Sequence, residues 1–515
     1  MNRLPKIAKI LISAALIIIV ILLLLPGNKT VTLANGASLE WTHCWFKNPA
    51  NRKVRCGWYR PKQTSDIKIK IPVVYIHHRY KTQPDPVLYI NGGPGYSTGL
   101  DKKRIRRWLS WVDQTGWKRD VVFWDHRGTG MATPLPECEG LQSNTLQSLT
   151  KNESARQEAI SWFTFMKNCH KKISSKKYPM DTFSTDNSVK DSLNIMKLVG
   201  AKRWKIYAAS YGTRVALQLM RQNPEFIDAI VLDSVYPSRI HDLEVIPYFI
   251  NRAFDNLFKA CGLHYFCYKQ LPSIKKSLRS LVTQLNKDPQ TFHIKISSQP
   301  RPVKIVLNGN RLVWAMHGAM YDWSMIEKLP AFMLYAKNKQ WTKLKPLVRD
   351  YVTRVLDPTF SPIAYYSTEC RDRDRALTQQ EYNRELNKYP LVKPHVQDMW
   401  EFDICKFWTA GRAKKESFTP VKSNIPTLIM NGKLDPATPW QWANEVNKSL
   451  INSYFFAIQG VGHGAVDGDQ CAANLAKLFL NKPNQRPSLP CQKHWHRPYF
   501  KLPKSEKKAP INPES

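Results

Sequence analysis

This chain is poor in acids for the number of its bases: 40 Asp and Glu stand against 77 Lys and Arg, a formal charge of +37 over 515 residues. It also lacks any C-x-x-C pair, any G-x-G-x-x-G, any P-loop lysine pattern and any internal repeat. The first absence excludes the common structural metal sites, the next two exclude the usual nucleotide cradles, and the last excludes a solenoid. The excess of bases is not gathered into a basic helix, an RNA-binding signature or a zinc-finger spacing, so nucleic acid is excluded as the partner. A dispersed positive charge suits a solvated surface, or one that meets an anionic membrane or envelope polymer.

Long apolar runs are scarce too. Only Ile10–Leu25 qualifies, interrupted at Ser13, preceded by Arg3, Lys6 and Lys9 and ended by Pro26-Gly27. Positive charge ahead of a terminal apolar run is an export signal. Residues 1–29 are therefore expected to be a signal or membrane anchor. That makes the protein exported, held in the inner membrane and facing the periplasm, or secreted if the segment is cleaved. Ten cysteines, an even number, agree with an oxidising compartment. Taken in sequential order they are Cys44 and Cys56, Cys138 and Cys169, Cys261 and Cys267, Cys370 and Cys405, Cys471 and Cys491. Sequential pairing would give five local bridges; sequence alone leaves the connectivity open.

Strand patterns alternate with helical ones. "IKIKIPVVYIHH" alternates like a strand, "PVLYINGGPGYS" and "RDVVFWDHRGTG" are apolar strands running into glycine turns, and residues 154–200 read as helices. The expectation is an α/β fold with a mostly parallel central sheet. From about residue 239 to 420 the pattern turns helical and basic, then strands resume in "IPTLIMNGKLD" and "SYFFAIQGVGHG". This divides the chain into a first core part at 36–238, a mainly helical cap at 239–420, a second core part at 421–500 and a loose polar tail at 501–515.

In "YAASYGTRVALQLM" a strand turns into a helix at Ser210, between small neighbours. That is the form of a nucleophile elbow, G-x-S-x-G, with Ala208 where the first glycine usually stands. A serine hydroxyl needs a base to take its proton and an acid to orient the base. Asp435 follows the strand "PTLIMNG", and His463 follows the next strand in "GVGHG". Asp233, after "IVLD", is a competing acid. The developing oxyanion needs two donors. The N–H of Tyr211 supplies one, and the turn Asn91-Gly92-Gly93-Pro94-Gly95 supplies the other, with Gly93 preferred over Gly92. Asp125 and Arg127 are expected to pin neighbouring loops through a charge-assisted pair.

The segments "NGGPGYS", "WDHRGTG", "ASYGTR", "NGKLDPATP" and "GVGHG" resemble the prolyl/tripeptidyl aminopeptidase family of α/β-hydrolases. The likeness is greatest to its exported, disulfide-containing branch with a TAP-like C-terminal region. Two positions depart from that pattern: Asn91 stands where many members have His, and Ala208 replaces the elbow glycine. The resemblance implies an α/β-hydrolase fold with an inserted helical cap. It implies a serine peptidase that acts through a Ser210–Asp435–His463 triad and an acyl-enzyme, releases N-terminal residues or short peptides, and needs no metal or cofactor. It also implies cap carboxylates that hold the substrate amine, with Asp372 in "STECRDRD" as the first candidate and Glu369 as the second. Two rivals remain: an esterase with the same triad, and a non-enzymatic envelope binding protein.

Overall fold

The computed structural model describes residues 29–49, 52–63, 67–176, 178–297, 299–495 and 500–503. The expected N-terminal signal or anchor thus lies outside the described residues except for Lys29, and so does the tail beyond Pro503. No described helix is long and apolar enough to cross a membrane.

Among the described residues twelve strands form: β1 Lys29–Thr32, β2 Ser38–Thr42, β3 Val54–Arg60, β4 Ile71–Ile76, β5 Val87–Ile90, β6 Val121–Trp124, β7 Trp204–Ala209, β8 Ile227–Asp233, β9 Gln290–Ile294, β10 Val303–Leu307, β11 Thr427–Gly432 and β12 Ser453–Ile458. Ten of them make one sheet in the order β1-β2-β3-β4-β6-β5-β7-β8-β11-β12. From β1 to β4, and from β4 to β6, neighbours run antiparallel; from β6 to β12 every pairing is parallel. The exchange of β5 and β6 in that order, the antiparallel β4 and the parallel run beyond it are the plan of the α/β-hydrolase fold. β4, β5 and β6 are buried along their whole length, because helices cover both faces of a parallel sheet. "IKIKIPVVYIHH" yields less strand than its alternation predicts. Ile67–Lys70 stay partly exposed outside β4, which begins at Ile71.

Between β8 and β11 the chain runs mostly through helices. It also makes an antiparallel ribbon of β9 and β10 that the helical reading does not foresee. The ribbon turns Phe292, Ile294 and Ile305 into the core and Thr291, His293, Lys295 and Lys304 to solvent. All ten cysteines pair in sequential order: Cys44–Cys56, Cys138–Cys169, Cys261–Cys267, Cys370–Cys405 and Cys471–Cys491. The described chain ends against the fold, with Phe500 buried and the Lys501 N–H donating to the Glu327 carbonyl.

Candidate active site

Ser210, the glycine turn, Asp435 and His463 each follow the carboxyl end of a parallel strand, where the sheet stops and helices begin. Ser210 lies between β7 and the helix Tyr211–Gln222 with φ 54° and ψ −124°, a strained conformation for a residue with a side chain. Close packing holds it there. A Cβ on Gly212 would lie 2.2 Å from the Ile90 carbonyl oxygen, so the helix can start against β5 only if that residue is glycine. Ala208 needs no such exemption. It lies inside β7, opposite Leu232 of β8, where its methyl is simply buried.

The glycine turn after β5 passes directly over the serine: a Cβ on Gly92 would meet the Ser210 Cβ at 2.9 Å. Asn91, which occupies the usual histidine position, helps shape this turn. Its Nδ2 donates to the Tyr96 carbonyl at 3.2 Å, and its own carbonyl lies 3.2 Å from His126 Nε2. Tyr211 opens a helix, so its N–H has no acceptor within that helix and lies at the positive end of the helix dipole.

His463 and Asp435 are joined. His463 Nδ1 lies 2.9 Å from Asp435 Oδ2 and 3.0 Å from Oδ1. Asp435 is fully buried and is held by the N–H groups of Ala437 and Thr438 at 2.9 and 2.8 Å and by the Thr438 hydroxyl at 2.8 Å. Burial alone would raise the carboxyl pKa, but the charge of His463 and these hydrogen bonds overcome it, so the group is held below the ordinary range. Burial likewise pushes the imidazole down, and Asp435 more than reverses that, leaving His463 above its ordinary value. Tyr321 stands edge-on to the imidazole with ring centres 5.1 Å apart.

Asp233, the competing acid, does not touch His463. Its carboxylate accepts from the N–H groups of Ala465 and Val466 at 2.7 and 2.9 Å and from the Tyr207 hydroxyl at 2.7 Å. The neighbouring Ser234 hydroxyl accepts from the Gly464 N–H at 2.8 Å. The end of β8 therefore clamps the loop that carries His463, and the same residue's carbonyl accepts the Ser210 N–H at 2.9 Å. Among the described residues these backbone ties, not a direct hydrogen bond, bring Ser210 and His463 to one rim; such bonds are often long before substrate binds.

Asp125 and Arg127 do not pair with each other as expected. Asp125 accepts from Thr98 N at 2.7 Å and Met131 N at 2.9 Å, whereas Arg127 makes a two-pronged contact with Asp191 at 2.7 and 2.8 Å. Asp191 offers the guanidinium two oxygens at once, while the Asp125 oxygens are already occupied by loop donors.

Asp372 and Glu369 sit at the end of the helix Pro362–Arg371, beside the nucleophile helix. Both already face a cation that sequence reasoning missed. Arg214 Nη1 lies 3.4 Å from Asp372 and 3.9 Å from Glu369, and its guanidinium stacks 3.9 Å over Tyr236. Thr185 bridges the cluster to the elbow: its hydroxyl bonds to Asp372 at 2.5 Å and lies 3.0 Å from the Tyr211 hydroxyl. Burial pushes the Asp372 carboxyl up, against the pull of Arg214. The void lined by Asp372, Thr185 and Arg214 measures about 10 Å³, room for little more than one water.

A larger cavity of about 280 Å³ opens beside the same helix. Its walls include Trp162, Tyr365, Tyr366 and Trp400, and it carries Arg373 between two carboxylates. Arg373 lies 2.7 Å from Glu244 and 2.6 Å from Asp403. Tyr365 also abuts the glycine turn, for a Cβ on Gly95 would come within 2.9 Å of it.

Thr438 was legible in principle, because a hydroxyl three residues after an acid in D-P-A-T marks an Asx-type turn. Tyr321, Arg214 and Thr185 have no local signal, since only the fold brings them to the site.

Residues 393–490 match the family described as TAP-like protein. The chain is 22% identical over 489 residues to the serine protease Hip1 of Mycobacterium tuberculosis, covering 86% of this chain and 89% of that protein. It is 19% identical over 469 residues to the tripeptidyl aminopeptidase of Streptomyces lividans, covering 86% and 84%. Among solved structures, a bromoperoxidase from Bacillus anthracis overlaps 81% of this chain and 97% of its own, at 12% identity and a TM-score of 0.37.

Proposed function

We propose that this chain is a serine hydrolase of the tripeptidyl aminopeptidase family of α/β-hydrolases and that it releases N-terminal residues or short peptides outside the cytoplasm. The observation that carries this reading is the strained Ser210 elbow sharing one rim with the buried Asp435–His463 pair. His463 Nε2 takes the Ser210 proton as Oγ attacks the scissile carbonyl, and the acyl-enzyme forms as the same nitrogen returns that proton to the leaving amine. Asp435 fixes the Nδ1–H tautomer and stabilises the imidazolium. The N–H groups of Gly93 and Tyr211 receive the oxyanion. Water then repeats the sequence to free the acyl product.

The five disulfides belong to an exported protein. The segment before Lys29 is assigned as its signal or inner-membrane anchor, on the sequence pattern alone.

Amine recognition falls to one of two acid clusters. Asp372 and Glu369 set two carboxylates against Arg214, but their void is small. Glu244 and Asp403 set two carboxylates against Arg373 in a cavity that has room for a side chain. In either cluster the excess negative charge favours an ammonium group. Assay of paired free and N-acetylated tripeptides tests the proposal. An aminopeptidase cleaves the free peptide and spares the acetylated one, and Asp372→Asn or Asp403→Asn lowers only that selectivity. Equal turnover of both peptides, with rapid hydrolysis of simple acyl esters, establishes the esterase instead.

A further inference from the structure

We propose that the corner Leu263–Tyr268, far along the cap from the reacting groups, docks the protein on an anionic lipid bilayer. At this corner the helix Asp242–Leu263 meets the helix Tyr265–Gln270. Four large side chains stand in solvent there: Leu263 is 74% exposed, Tyr265 66%, Phe266 62% and Tyr268 55%. The corner is rigid, because the Cys261–Cys267 bridge closes it, both sulfurs are buried, and Phe500 packs edge-on to His264 at 5.5 Å. These rings are therefore presented to solvent by a fixed backbone.

Two other exposed aromatics lie by the active-site cleft: Tyr321 faces His463, and Tyr96, in the glycine turn, packs on Phe360 at 4.9 Å. The corner lies outside that cleft. Arg252, on the same helix as Leu263, donates to the Asp435 carbonyl, and the helix carries Leu263 roughly 16 Å further along its axis at 1.5 Å per residue.

The surrounding charge selects the occupant. From Asn256 to Lys287 the sequence contains Lys259, Lys269, Lys275, Lys276, Arg279 and Lys287 and no Asp or Glu. Lys259, Lys269, Lys275, Lys276 and Arg279 are exposed, and Asp255 reaches only Lys275, at 3.9 Å. Tyrosine and phenylalanine at a water–lipid boundary, with Lys269 Nζ 5.9 Å from the Tyr265 ring and further cations close in sequence, suit the headgroup level of a negatively charged leaflet. A second copy of a chain carrying +37 would be repelled from the same patch.

The test uses the full chain with vesicles of phosphatidylcholine alone or mixed with phosphatidylglycerol, and reads amide hydrogen exchange over residues 262–270. The anionic vesicles should slow exchange there several-fold, the neutral ones should not, and high salt should abolish the effect. The double variant Tyr265→Ser, Phe266→Ser should hydrolyse a soluble peptide at the parent rate, which shows it folded, while its partition into anionic vesicles falls by about tenfold. Unchanged exchange with anionic vesicles would overturn the proposal, as would equal protection by neutral ones or equal protection by a soluble polyanion. Protection that grows with protein concentration in the absence of lipid would replace the bilayer by a second copy.

Discussion

The ends of β8 and β11 carry two buried aspartates on neighbouring strands, and they behave oppositely. Asp233 closes β8, and its carboxylate accepts hydrogen bonds from neutral groups: two backbone N–H donors, a tyrosine and the Ser234 hydroxyl. Burial wins there, and its carboxyl is pushed up to about 6. Asp435 follows β11 and is equally buried, yet it faces an imidazole, and its carboxyl is driven down. Burial alone does not make an aspartate an acid–base partner; the charge opposite it does. Asp233 ties down the histidine loop, and in the proposed mechanism Asp435 orients the histidine.

Substitution should separate the two roles. Asp435→Asn should lower kcat by about 10⁴-fold, because it favours the wrong tautomer of His463. Asp233→Asn should lower kcat by only about tenfold, since it loosens the loop without touching the imidazole. Steady-state kinetics on one peptide measures both, and equal losses would erase the distinction.

Stability against pH sharpens it further, and the two signs differ. The raised carboxyl of Asp233 means the folded protein holds a proton that the unfolded chain releases. Its contribution is greatest below the unfolded value near 4 and declines by about 1.4 kcal/mol per pH unit up to about 6. The depressed carboxyl of Asp435 contributes stability above the unfolded value and loses it as pH falls through the lower folded value. Denaturant midpoints from pH 4 to 6 should therefore show the parent losing ground to Asp233→Asn as pH rises. A difference between the two that stays level over that window would contradict the raised carboxyl of Asp233.

The activity profile gives a further contrast. In the proposed mechanism His463 must be neutral to accept the serine proton, and Asp435 holds its pKa above the ordinary value. Thus kcat/KM should rise through an apparent pKa above about 6.5. Residual activity of Asp435→Asn should rise at lower pH, while Asp233→Asn should lower the midpoint far less, since the Asp233 charge adds a smaller upward pull on the imidazole than Asp435 does. The smallest effect belongs to Thr438→Val, which removes one hydroxyl from Asp435 and should cost about 1 kcal/mol, a fewfold loss in turnover.

The parts of this site legible in the sequence were those that a strand and its own turn determine. Ser210, Asp435 and His463 each follow an apolar run, so order and spacing singled them out as candidates. Asp233 ends one as well, and no local pattern separates it from Asp435; the loop of His463 had to fold back before their partners differed. The cap was less legible because its contacts are long-range. Arg214 reads as an ordinary helical cation until the helix Pro362–Arg371 lands on it with Glu369 and Asp372. The β9–β10 ribbon sits among basic helices and is defined by one buried face rather than by a run.

The central claim is that the Asp435–His463 pair serves Ser210. It is tested most directly by reacting the protein with a fluorophosphonate and mapping the labelled peptide by mass. The account predicts one adduct, on Ser210, formed rapidly in the parent and in Asp233→Asn and slowed by orders of magnitude in Asp435→Asn. An adduct on any other serine, or labelling of Ser210 that ignores Asp435 and fails instead in Asp233→Asn, would contradict it.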